Sequence, residues 1–316
     1  MWPYILRRLA MIPPVLLVVS LVAFSIILLL PGDPAIAILG EERGHDRVAY
    51  DALRKELGLD QPIPIQYVSW VTRAVRGDLG VSVRNQQPVA LLIAQSLGPT
   101  LQLSVLAMVI ALVVALPVGA ISAARPNSKA DIVGTTFALS GIAMPSFLLG
   151  ILLIVIFAVW LHVLPSAGYV EPTRNLEQSV RLMVLPSLAL GAGLGAVLMR
   201  QVRSEMLEVL SQDYVTTARA KGLHEPRVVF LHAFKNALIP VITLIGIHIG
   251  RLFGGAVVIE SIFTIPGMGR LAVQSIFFRD FPVVQAVVLA LAVAVLVSNL
   301  IADLLYGLAD PRVRYT

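Results

Sequence analysis

An all-α, polytopic membrane protein with six transmembrane helices is the fold class this sequence predicts, and three observations predict it. Charged residues are only 14% and hydrophobic residues 57% of the 316-residue chain, whereas soluble domains are roughly a quarter charged. The mean hydropathy is +0.85. The apolar residues gather into six runs, at 9–30, 100–123, 132–160, 182–199, 237–259 and 283–308. A helix needs about 20 such residues to cross a bilayer. The basic residues cluster at the ends of these runs, where Lys and Arg set orientation. That placement turns the net charge of +5 away from a nucleic-acid partner. Cysteine is absent, which excludes disulfides and thiolate metal sites.

Arg7 and Arg8 precede the first run, as in a cleaved leader, and Ala35-Ile36-Ala37 imitates a cleavage site. The run outlasts a leader core of about 7–15 residues, so residues 1–30 are read as the first helix, bent at its start by Pro13 and Pro14. Residues 31–98 form the only long hydrophilic region, with seven Lys/Arg against eight Asp/Glu. Within it, helical periodicity covers 48–57 and stops at Gly58, and a second short helix at 67–75 places Tyr67, Trp70 and Val71 on one face. The region reads as a small extracytoplasmic helical cap, and 99–316 as a core domain of five membrane helices.

The run 132–160 is long for one crossing, so it must tilt or carry an interfacial end. The run 182–199 is marginal in length. Its Pro186, Gly191, Gly193 and Gly195 either let helices approach closely in lipid or mark a bend.

With the N-terminus inside, the inner segments hold twelve Lys/Arg: Arg7, Arg8, Arg125, Lys129, Arg200, Arg203, Arg219, Lys221, Arg227, Lys235, Arg312 and Arg314. The two short outer loops hold four, Arg174, Arg181, Arg270 and Arg279. By the positive-inside rule both termini, and the segment 213–240, are cytoplasmic.

That segment, DYVTTARAKGLHEPRVVFLHAFKNALIP, is basic and helix-prone. A short helix over 213–221 is expected to stop at Gly222, a favoured residue just past a helix end. Pro226 suits the first turn of a second helix, which runs on toward Pro240. Helix, glycine turn and helix at a membrane surface make a shape for another protein to hold.

At these residues the chain resembles a family. ARAKG at 218–222 with NALIP at 236–240 is similar to the EAA loop of ABC importer permeases, in the variant of the dipeptide/oligopeptide (DppB/OppB-type) permeases. Thr216 stands where the name-giving Glu would be, and the stretch from Gly222 to Pro240 is longer than usual; both departures match that variant. PGDPA at 31–35, LGLDQPIPIQY at 57–67, GDLGVSV at 77–83, RDFPVVQ at 279–285 and NLIADLLYGLADPRVR at 299–314 extend the resemblance over nearly the whole chain.

The resemblance implies a type I ABC importer permease in a bacterial cytoplasmic membrane. Its EAA loop, 203–236 here, docks into a groove of an ATPase through Asp213, Tyr214, Thr217, Ala218, Arg219, Ala220, Lys221 and Gly222. It also implies a second, homologous permease making a heterodimer, two cytoplasmic ATPase subunits and an extracytoplasmic substrate-binding protein. Peptides are the default cargo; nickel or another small solute is the alternative. An ion-driven secondary transporter would show internal repeats and buried mid-membrane carboxylates, and neither is clear.

The residues themselves point away from an enzyme. There is no Walker A pattern, so Mg-ATP would belong to partner subunits and this chain would bind no cofactor. The five histidines, His45, His162, His224, His232 and His248, are scattered without zinc-site spacing, and no nucleophile elbow occurs. Few ionisable residues lie within the runs. Asp303 reads as a helix-end partner and Glu260 as interfacial. His248 and Arg251 are three apart, hence on one helical face, with glycines at 246, 250, 254 and 255 around them. They are the candidate pathway residues; pairing of Arg251 with a carboxylate of the partner permease is the equal alternative.

Overall fold

The computed structural model describes residues 2–29, 35–36, 39, 46–56 and 58–309. Residues 31–34, Leu57 and the stretch with Arg312 and Arg314 lie outside them, as do the side chains of Arg7 and Asp303.

The described chain is helical, as its composition requires. In order it forms α1 (Trp2–Leu29), α2 (Arg47–Glu56), α3 (Ile63–Val75), α4 (Val89–Ala124), α5 (Lys129–Ala143) and α6 (Ser146–Leu153), the last continued by a π-helical stretch Ile154–Trp160. Then follow α7 (Leu176–Leu210), α8 (Asp213–Ala220), α9 (Glu225–Arg227), a second π-helical stretch Val228–Ala233, α10 (Phe234–Ile262), α11 (Met268–Phe277) and α12 (Phe281–Ala309). Four helices are long and apolar enough to span a membrane unbroken: α1, α4, α7 and α12. The other two crossings are bent. The run 132–160 is neither simply tilted nor interfacial at one end: α5 and α6 meet at 107°. The cause is Pro145, which pushes Met144 into extended backbone (ψ 121). The chain from Glu225 to Gly246 bends by 45° at Pro240.

Contacts sort the loops to two ends of the bundle. At the far end, Gly168 donates its N–H to the Phe263 carbonyl (2.9 Å), Thr100 binds Glu260, and Ser82 binds Asp280. The Tyr67 ring of α3 sits edge-on to Phe24 of α1, and its hydroxyl meets Ser20 (2.7 Å). At the near end, Arg203 of α7 grips Asp131 of α5 with two bonds of 2.6 and 2.8 Å. The bent pair α5–α6 therefore starts beside the end of α7 and finishes beside its start, so it crosses once. Counting each bent pair as one span gives six crossings, with the hydrophilic segment and α8 at opposite ends.

The core is the seam of α4 and α7. Small residues recur every four along α4, at Ala107, Ala111, Ala115 and Gly119, all buried. On α7 they meet Gly191 and Gly195: a Cβ on Gly191 would sit 2.5 Å from the Ala107 carbonyl. Gly191 and Gly195 are thus packing residues in an unbroken 35-residue helix, the arrangement by which helices associate in lipid. α7 also continues past Arg203 to Leu210, so the chain leaves the helix only at Ser211. At the other extreme, α4 begins at Val89, well ahead of the apolar run at Thr100.

Candidate functional site

The near end carries the segment singled out by sequence. α8 is seated by one fully buried side chain, Val215. Asp213, Tyr214, Thr217, Arg219, Ala220 and Lys221 are exposed, and Ala218 is half-buried. Nearly the whole helix surface is therefore presented outward. Gly222 ends it with φ +78, a left-handed conformation that a β-branched residue resists. A Cβ there would meet nothing within 4 Å, so the demand on Gly222 is torsional and not steric.

Two contacts fix the turn. The Arg219 guanidinium spans it to Glu225, with Nη2 to Oε1 at 2.6 Å and Nε to Oε2 at 3.1 Å. The carboxylate holds the guanidinium above its ordinary value. From α10, Asn236 donates to the Tyr214 hydroxyl (2.9 Å) and to the His232 carbonyl (3.1 Å). Pro226 occupies the first turn of α9 as its fixed φ favours. Val228, Val229 and Ala233 are buried; the last two join the core that holds Val202 and Met206. The π-helical register leaves Phe230 and Leu231 outside, 52% and 62% exposed. The site is thus a braced helix–turn–helix with a polar helix face and an apolar step beside it.

The candidate pathway residues lie together on α10. Arg251 is exposed and His248 half-buried. Among the described residues no carboxylate meets Arg251. The uncovered stripe continues through Gly254, Val258 and Ser261. The neighbouring glycines do not all leave room beside Arg251. A Cβ on Gly246 would collide with Ala302 of α12, Gly250 packs on Val295 and Asn299, and Gly255 lies against Leu190; only Gly254 is open.

Three acidic residues organise the structure in ways the sequence reading missed. Glu260 is not interfacial: it is fully buried. It accepts from the Thr100 hydroxyl (2.6 Å) and the Arg270 N–H (3.0 Å), while Met268 N–H donates to the same Thr100 oxygen (2.8 Å). Glu260 thereby caps α11, where carboxylates are favoured. Asp280, 3% exposed, accepts from the Ser82 hydroxyl (2.5 Å) and the Val83 N–H (3.1 Å). Asp131 is the partner of Arg203. The one sequence signal for Asp280 was that both GDLGVSV and RDFPVVQ belong to the resemblance; here they meet.

Comparisons with known proteins agree with this architecture. Residues 115–315 match the family described as binding-protein-dependent transport system inner membrane component, and residues 1–104 match the N-terminal model of such membrane components. The chain is 42% identical over 312 residues to the glutathione transport system permease protein GsiC of Escherichia coli O6:H1, covering 99% of each chain. It is also 42% identical over 316 residues to a Brucella ovis protein provisionally described as a peptide permease, again with 99% of each chain covered. Among solved structures, an inward-facing MetNI methionine ABC transporter has a chain that superposes with TM-score 0.58 at 18% identity, over 69% of this chain and 96% of that one. That likeness concerns the fold.

Proposed function

Because the chain belongs to the inner membrane components of binding-protein-dependent transport systems, and so is a multi-pass permease subunit of an ABC importer and not an enzyme, we propose that its near-end segment 213–240 is the contact through which a separate ATPase drives it. The observation that carries this is α8 itself. It is anchored by Val215 alone, stopped by a left-handed Gly222 and braced by Arg219–Glu225 and Tyr214–Asn236. A braced helix shows its partner one fixed face and forfeits little ordering entropy on docking. Cytoplasmic placement follows from the count of twelve inner against four outer Lys/Arg. The assembly is two homologous permeases, two ATPases holding Mg-ATP and one extracytoplasmic binding protein. The near-end loops and both chain termini face the cytoplasm.

Peptides are the proposed cargo, supported by the glutathione permeases, since glutathione is a tripeptide. Arg251 is proposed to line the route: its guanidinium is exposed on an uncovered stripe of α10 and offers a two-point fork for a passing carboxylate. The deciding experiment is crosslinking in the assembled complex. The chain has no cysteine, so a cysteine at Thr217 is the sole thiol on this subunit. It should crosslink to the ATPase, and one at Ser128 should do so less. Equal yields would remove α8 from the contact. For the route, Arg251→Lys should alter transport of anionic peptides while basal ATPase activity persists.

A further inference from the structure

At the far end, one surface is built with more precision than a loop between helices needs. α11 is pinned at both ends by buried carboxylates. Glu260 caps its start, and a Cβ on Gly267 would collide with that carboxylate. Asp280, just past its end, binds the strap that precedes α4: Ser82 by its hydroxyl, and Val83 and Arg84 (3.4 Å) by their N–H groups. The strap is itself closed by Ser82 N–H to Gln87 O (2.9 Å) and Val89 N–H to Gly80 O (3.0 Å). This double pin presents a knuckle. Phe277 is 82% exposed and Phe278 53%. The Arg84 guanidinium lies over the Phe278 ring at 3.6 Å. Arg279 is exposed beside it, in a left-handed backbone (φ 54). The one carboxylate of the knuckle, Asp280, is buried and occupied by the strap, so the surface shown outward is cationic and aromatic.

We propose that this knuckle, Arg84 with Phe277, Phe278 and Arg279, is the docking surface for the extracytoplasmic binding protein, and that it takes an apolar pocket rimmed by carboxylates. The inference rests on the importer reading above, which supplies the partner. Aromatic and Arg side chains dominate protein contacts, and a surface held rigid before contact binds with less ordering cost. A ring with a guanidinium on its face is partnered to a charge that hydrocarbon expels. That favours a protein over the bilayer as occupant. The knuckle is also tied by Asp280 to the hydrophilic segment, at the end of the bundle away from α8.

The test uses the whole complex in nanodiscs, with its partner permease and ATPases, titrated with the purified binding protein while ATP hydrolysis is followed. Arg84→Glu with Arg279→Glu should raise the binding-protein concentration for half-maximal stimulation about tenfold or more and invert its salt dependence, since the new repulsion is screened as salt rises, at unchanged basal hydrolysis. Phe277→Ala should raise it without changing the salt dependence. An unchanged half-maximal concentration in both variants overturns the proposal. So does loss of the permease heterodimer, which would make the knuckle a contact between permeases. An effect seen only in anionic lipid and equal with and without binding protein would assign it to the membrane, again overturning it. The crosslink from Thr217 separates this outcome from failure of the importer reading: if the ATPase crosslinks and the knuckle variants behave as wild type, only the docking surface is wrong.

Discussion

At one end of α10 a charged pair, Arg219 and Glu225, closes a turn in full view of solvent; at the other, Glu260 is buried and, among the described residues, meets no basic side chain. The first arrangement costs little desolvation and stabilises little, since exposed pairs contribute about 0–1 kcal/mol. The second depends on complete hydrogen bonding, because a buried acceptor or donor left unpaired costs about 1–3 kcal/mol. The difference matches what each end must do. The near end needs a surface whose shape is fixed but whose atoms remain available to a partner. The far end must hold α4, α10 and α11 in one register, so its polar atoms are consumed internally.

The comparison breaks most visibly at Glu260. Replacement by Ala strands the Arg270 N–H, leaves the Thr100 hydroxyl only its longer bond to the Ser96 carbonyl (3.3 Å), and leaves a void where the carboxylate stood. The expected loss is about 2–4 kcal/mol from unpaired groups and lost packing. It should appear as a lower midpoint of thermal aggregation in detergent and less protein in the membrane. Wild-type stability in that variant would show that Glu260 is not the clamp.

Glycine substitutions separate two reasons for a glycine. Gly191→Ala forces a methyl against the Ala107 carbonyl, so the α4–α7 seam should open at a cost of about 1–3 kcal/mol. Gly193→Ala, whose nearest neighbour would be the Gly141 carbonyl at 3.7 Å, should be neutral and serves as the control. Gly222→Val meets no atom but forces a β-branched residue to φ +78. It should leave the protein in the membrane at near wild-type amounts while uncoupling ATP hydrolysis from transport. Normal transport by that variant would detach the turn from coupling.

The near end was legible in the sequence because its signals are local. Gly222 stops one helix, Pro226 opens the next, and α8 spans Asp213–Ala220 within one residue of the range expected. The apolar runs that become the four unbroken spans and the two bent pairs were legible because hydropathy is local too. The far end was not. Glu260 reads as interfacial because it sits near the end of an apolar run, and nothing nearby shows that Thr100, 160 positions earlier, will close over it. Asp280 meets Ser82 across 198 positions. The 107° break carried one local sign, Pro145, inside an apolar run that hydropathy averages into a single span. The glycines of α7 left packing and bending open, since only the position of α4 decides between them.

The smallest expected effect tests the near end directly. Arg219 has two candidate duties, closing the turn onto Glu225 and facing the ATPase, and the ion pair alone does not separate them. Its side chain is 41% exposed and that of Glu225 54%, so removing either should change stability by less than about 1 kcal/mol. If closing the turn is the whole duty, Arg219→Ala and Glu225→Ala should impair transport equally, and the double substitution should be no worse than either. Exchanging the charges, Arg219→Glu with Glu225→Arg, should then restore most of the loss, because the pair reforms across the same turn. If Arg219 also meets an acidic ATPase surface, the exchange places a carboxylate against it. Transport should then fall below that of Arg219→Ala, and it should recover as salt is raised. The ATP-driven uptake rate of the four variants, at low and at physiological salt, decides between the two.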